Sequence, residues 1–132
     1  MDTKEQVVTD RAPRPTLGAP YSQAVTLGNL VFVSGQLPVS PDTGELVGAD
    51  ATAQTEQVLN NLAAVLEAAG SGLGNILKTT VYLRSRDDWP AMNEVYRARI
   101  PGVPPARTAV EVGRMGFDAR VEIDAIAFRD PD

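Results

Sequence analysis

Arg107 stands in the run Pro104-Pro105-Ala106-Arg107-Thr108. Two prolines stiffen the chain before the arginine and fix where it emerges. Its guanidinium is a rigid fork matched to a carboxylate. Glu122 interrupts an otherwise apolar alternation, Val121-Glu122-Ile123-Asp124-Ala125. Burial there raises a carboxyl pKa and suits the group to managing a water's protons. On spacing alone each residue has a plainer reading. Arg107 would satisfy a surface acid such as Glu111 or Asp124, and Glu122 would be a solvated sheet-face glutamate, with Glu111 as a rival acid. Tyr21, just before a strand, either lines a pocket or packs on the core. Ser34-Gly35 offers a hydroxyl and open backbone at a strand end. Asn93 lies in a helix, within reach of a ligand or of a neighbouring loop.

The missing residue types narrow the chemistry around them. The chain of 132 residues has no histidine and no cysteine. That removes Ser-His-Asp triads, cysteine nucleophiles and zinc sites with the usual ligands. Lys4 and Lys78 are its two lysines. Lys4 falls in a loose tail and Lys78 in a strand, where a solvated lysine is commoner than a Schiff base. The net charge of −5 disfavours nucleic acid as a partner. No apolar run suits a transmembrane helix, and Met1 to Arg14 lacks an apolar signal segment, which points to the cytoplasm. Carboxylates, arginine, tyrosine, hydroxyls, amides and backbone groups remain.

The elements that position these groups follow from pattern. Residues 1–15 are polar and proline-punctuated, predicting a flexible arm before one domain at 16–130. Ala24–Leu27 and Leu30–Val33 flank Gly28-Asn29 and predict a hairpin. Asp50 caps a helix over about 51–69, with Val58, Leu59, Leu62, Val65 and Leu66 on one stripe and Gly70 as its stop. Ile76 to Leu83 reads as a strand. Asp88 caps a second helix that ends before Pro101. Arg107–Gly113 and Arg120–Phe128 predict a closing hairpin. A simple register centred near Gly116-Phe117 leaves Arg107 and Glu122 about 13 Å apart along the strands. Val110 and Val112 are then expected under the helices, with Arg107, Ala109, Glu111, Glu122 and Asp124 on the opposite face. The fold class is α+β, a mixed sheet with two helices packed on one face. The bare face, mixing charges with Ile126 and Phe128, predicts oligomerisation.

Several segments stand in an order that resembles the RidA family, also called YjgF-like or L-PSP-like proteins. They are Pro20-Tyr21-Ser22-Gln23-Ala24-Val25, Val33-Ser34-Gly35-Gln36-Leu37-Pro38, Asn60-Asn61-Leu62, Lys78-Thr79-Thr80-Val81, Asn93-Glu94-Val95-Tyr96, Pro104 to Thr108 and Val121 to Ala127. The resemblance implies a chorismate-mutase-like fold and a homotrimer with clefts between subunits. It implies hydrolysis of reactive enamines and imines, such as 2-aminoacrylate and 2-iminopropanoate, to 2-keto acids and ammonia, without a cofactor. It implies that Arg107 binds the substrate carboxylate, that Glu122 positions the attacking water, and that Tyr21, Ser34, Gly35 and Asn93 line the cleft. Ala19, Arg99-Ile100, Ala109 and Gly116 depart from the family's common pattern, which bears on substrate preference. Two enzymatic readings follow: a general deaminase, or a pathway-specific deaminase of a larger imine. A non-catalytic, ligand-binding or chaperone-like trimer is a third. Ribonuclease activity, attached to some members, is disfavoured by the charge and by the lack of histidine.

Overall fold

The computed structural model describes residues 3–130. Eight regular elements follow one another: β1 (Glu5–Val7), β2 (Ala24–Leu27), β3 (Leu30–Gln36), α1 (Ala51–Ala68), β4 (Ile76–Leu83), α2 (Trp89–Arg99), β5 (Ala106–Glu111) and β6 (Val121–Phe128). The six strands form one mixed sheet in the order β1-β2-β3-β6-β4-β5. Both helices cover the same face of it.

Helix α1 begins where Asp50 accepts a hydrogen bond from the Ala53 amide at 2.8 Å, and it is followed by Gly70 at φ +83°. Its predicted stripe, Val58, Leu59, Leu62, Val65 and Leu66, is fully buried against the sheet. Helix α2 starts differently from expectation. Asp88 makes no capping bond and instead pairs with Arg120 at 3.2 Å. Ser85 caps the preceding turn by accepting from the Asp87 amide, and that turn runs on into α2.

Two sequence expectations are corrected by the sheet. The arm expected at residues 1–15 is docked from Glu5: β1 pairs antiparallel with β2, and Val7 and Ala12 are buried. Met1 and Asp2 lie outside the described residues. The closing hairpin does not form either. Strand β6 lies between β3 and β4, antiparallel to both, and β5 pairs parallel with β4. The cause is burial. In β6, Val121, Ile123, Ala125 and Ala127 are all buried and fit a central strand, whereas β5 has no buried residue and takes the edge. The unit β4-α2-β5 is then the crossover that a parallel pair requires.

Candidate functional site

The new sheet order moves Arg107 to the opposite face from Glu122. Arg107 pairs with Thr79, which is buried under the helices, so Arg107 faces α2. Glu122 and Val110 both pair with Tyr82 and face the uncovered side. The expected assignment of Arg107 to the bare face and Val110 to the core is therefore reversed. Two strand spacings and three residues of offset separate Arg107 from Glu122, about 14 Å between their Cα atoms. One chain thus carries two separate candidate half-sites.

The first half-site lies where β5 meets α2. Arg107 Nη1 donates to Asn93 Oδ1 at 2.8 Å. Its guanidinium carbon sits 4.9 Å from the centroid of the Tyr96 ring, within cation–π range. Tyr96 is itself held by a 2.8 Å hydroxyl contact with Thr79. Burial pushes the Tyr96 phenol up, while the Thr79 hydrogen bond and the Arg107 charge pull it back. Arg107 forms no salt bridge among the described residues. Glu111, its expected partner, accepts instead from the Arg86 amide, and Asp124 is bonded to Thr80 and Tyr82. Arg107 opens into a cavity of about 370 Å³, lined also by Asn93, Tyr96, Ile100, Pro104 and Pro105. Arg99 points away, to Glu56 at 3.1 Å and Asn60 at 2.8 Å, so Ile100 alone of that pair forms the wall.

The second half-site gathers around the end of β3. Between Val33 and Gln36 the pairing with β6 slips, as in a β-bulge that holds Ser34 and Gly35. Ser34 Oγ donates to the Ser22 carbonyl at 2.6 Å, tying the bulge to the segment that carries Tyr21. Gly35 is needed here for space. A Cβ on it would lie 1.9 Å from Glu122 Oε2 and 2.9 Å from its carboxyl carbon. Glu122 is half-buried against this bare backbone, and among the described residues nothing hydrogen-bonds its carboxylate. Burial first, and the charge of Asp124 second, raise its pKa above the ordinary glutamate value. Tyr21 and Gly35 line a neighbouring cavity of about 270 Å³ together with Gln23, Gln36 and Phe117.

Of the sequence candidates, Asn93 and Arg107 therefore meet directly, and Tyr21, Ser34, Gly35 and Glu122 cluster elsewhere. In the sequence Tyr96 stands only as the end of the Asn93-Glu94-Val95-Tyr96 segment, and its contact with Arg107 is not legible there. Its signal was its position three residues after Asn93, on the same helical face. Among the described residues no cluster of acidic side chains suits a metal ion, and no helix is long and apolar enough to cross a membrane.

The family model described as endoribonuclease L-PSP matches residues 11–129. A RutC family protein of Pyrococcus horikoshii is 48% identical, over 96% of this chain and 99% of its own. The 2-iminobutanoate/2-iminopropanoate deaminase of Escherichia coli is 44% identical over 93% of this chain and 96% of its own. The crystal structure of E. coli TdcF with bound serine superposes with a TM-score of 0.89 at 40% identity, covering 96% of this chain and 99% of that one.

Proposed function

This chain belongs to the endoribonuclease L-PSP family, also called the RidA or YjgF family, and on that premise we propose that it is an imine deaminase. The substrates are small 2-imino acids and their enamine tautomers, of the 2-iminopropanoate and 2-aminoacrylate type, and the products are 2-keto acids and ammonia. The observation that carries the reading is Arg107. It is oriented by Asn93 and Tyr96 at a cavity mouth and lacks an acidic partner among the described residues. A substrate carboxylate supplies that partner. The serine named in the TdcF structure is a small molecule of the same carboxylate chemistry.

An imine carbon is already electrophilic, so the reaction needs no protein nucleophile. Arg107 holds the carboxylate. Glu122 accepts a proton from a water as the oxygen adds to the imine carbon and passes it to the imine nitrogen, giving a tetrahedral amino alcohol. It then takes the new hydroxyl proton and delivers it to the same nitrogen, so that the C–N bond breaks, ammonia leaves and the keto acid remains. Glu122's raised proton affinity makes it the better acceptor for these protons. Tyr21, Ser34 and Gly35 complete the wall around Glu122, and no cofactor takes part.

Because Arg107 and Glu122 sit on opposite faces of one sheet, this mechanism requires two copies of the chain. We place the site between subunits of a homotrimer working in the cytoplasm. The uncovered sheet face supplies the apolar surface for such assembly, with Leu30, Phe32, Val110 and Phe128 exposed. The test is Arg107→Ala, assayed on 2-iminopropanoate generated in situ. Loss of kcat/KM on the order of 100-fold or more, with assembly unchanged, is expected. Full activity in that variant contradicts the proposal.

A further inference from the structure

We propose that Asp124, clamped by Tyr82, is a positioning residue that sets the proton affinity of Glu122. The inference rests on the reading of Glu122 as the group that handles the water's protons. It starts from register. Tyr82 is the direct cross-strand partner of Glu122, and Asp124 is the next residue along β6 on the same face. Side chains two residues apart on a strand lie about 7 Å apart. The tyrosine opposite Glu122 does not bond to it. Tyr82 leans diagonally and donates its hydroxyl to Asp124 Oδ2 at 2.9 Å. The Thr80 amide donates to Asp124 Oδ1 at 3.2 Å. Both Asp124 oxygens are thereby held by donors, which fixes where this carboxylate sits.

Glu122, by contrast, has a carboxylate that no described group hydrogen-bonds. Among the described residues of its own chain it therefore has a fixed negative neighbour and no donor to offset it, the arrangement that makes a carboxylate a better base. The other residues facing this strip are few. Lys78 lies four residues before Tyr82 on β4, and Arg84 two residues after it, just past the strand end; Lys78 pairs with Ile126, and Arg84 donates to the Asp118 carbonyl. From β3, Phe32 and the Ser34–Gly35 bulge bring no charge, and Val110 of β5 is apolar. The shift at Glu122 agrees, with Asp124 its charged contributor, and Asp124 likewise raises Tyr82.

Carbon-13 titration of the Glu122 carboxyl, assigned by its loss in Glu122→Gln, tests this without relying on turnover. In Asp124→Asn the Glu122 midpoint should fall by on the order of one pH unit. The acid limb of kcat against pH should follow it, with KM little changed. Tyr82→Phe keeps the charge but removes its hydroxyl donor, so the midpoint should rise, by a smaller amount. An unmoved Glu122 midpoint in a folded Asp124→Asn protein overturns the proposal. If that variant does not fold, a midpoint in Tyr82→Phe that stays put or falls overturns it. A wild-type protein inert towards imines defeats the functional reading instead, and the titration still decides this one.

Discussion

A half-buried guanidinium with no acid beside it is an arrangement that folding alone does not favour. Asn93 and the Tyr96 ring hold Arg107 in place, but neither neutralises it. Glu122 poses the same question from the acidic side, since burial and Asp124 both oppose its charge. The consequence for stability has a definite sign. A carboxyl whose pKa is higher in the folded chain favours folding most at pH below its unfolded pKa, and that contribution is lost as pH rises through the folded pKa. Glu122→Gln should therefore raise Tm at pH 7, and the gain should vanish as pH falls through the ordinary carboxylate range. The same variant should lose kcat by roughly 100-fold or more on imines. Thermal melts at pH 4 and pH 7 beside one kinetic assay check both halves. The pairing of a carboxylate-type arginine with a buried-type glutamate was legible from residue type and local pattern. What each would touch was not. Spacing favoured an ion pair between Arg107 and Glu111 or Asp124, yet those acids are bonded to strand and turn groups that only the tertiary fold brings near.

Strand existence was readable from alternation, but strand partners were not. β5 and β6 are consecutive in sequence and both alternate, so a hairpin was the simplest pairing. The fold instead buries β6 between β3 and β4 and sends β5 to the edge, beside β4. That single change reversed the faces of Arg107 and Val110. An edge strand exposed on both sides carries no alternation strong enough to say which face is inward. The N-terminal strand was missed for a related reason: three residues of β1 hold too little pattern. Its anchor is Gln23, buried beside β2. Gln23 Nε2 donates to the carbonyls of Thr9, Ala12 and Pro13 at 3.0, 3.1 and 3.0 Å, and its Oε1 accepts from the Thr9 amide at 2.8 Å. Gln23→Ala should cost about 2–3 kcal/mol of stability and release this segment. Hydrogen exchange should then show lost protection at Val7 and Thr9 while the α1 core stays protected. Unchanged exchange there would show that β1 pairing alone holds the arm.

At the scale of the molecule, one chain offers an arginine half-site at the β5–α2 edge and a glutamate half-site at the β3 bulge, on opposite faces of its sheet. The proposed function needs them in one cleft, and the bare apolar face offers the means of assembly. The sequence could suggest oligomerisation from that face, but not which half-site each copy supplies, because that depended on the strand order. Mixing subunits decides it. Arg107→Ala and Glu122→Gln proteins, each inactive alone, should be unfolded together, refolded at equal amounts and assayed on 2-iminopropanoate. Random assembly gives a cleft with both native residues in about one case of four, so about a quarter of wild-type activity should return. A co-assembled mixture as inactive as its parents would contradict a site shared between subunits.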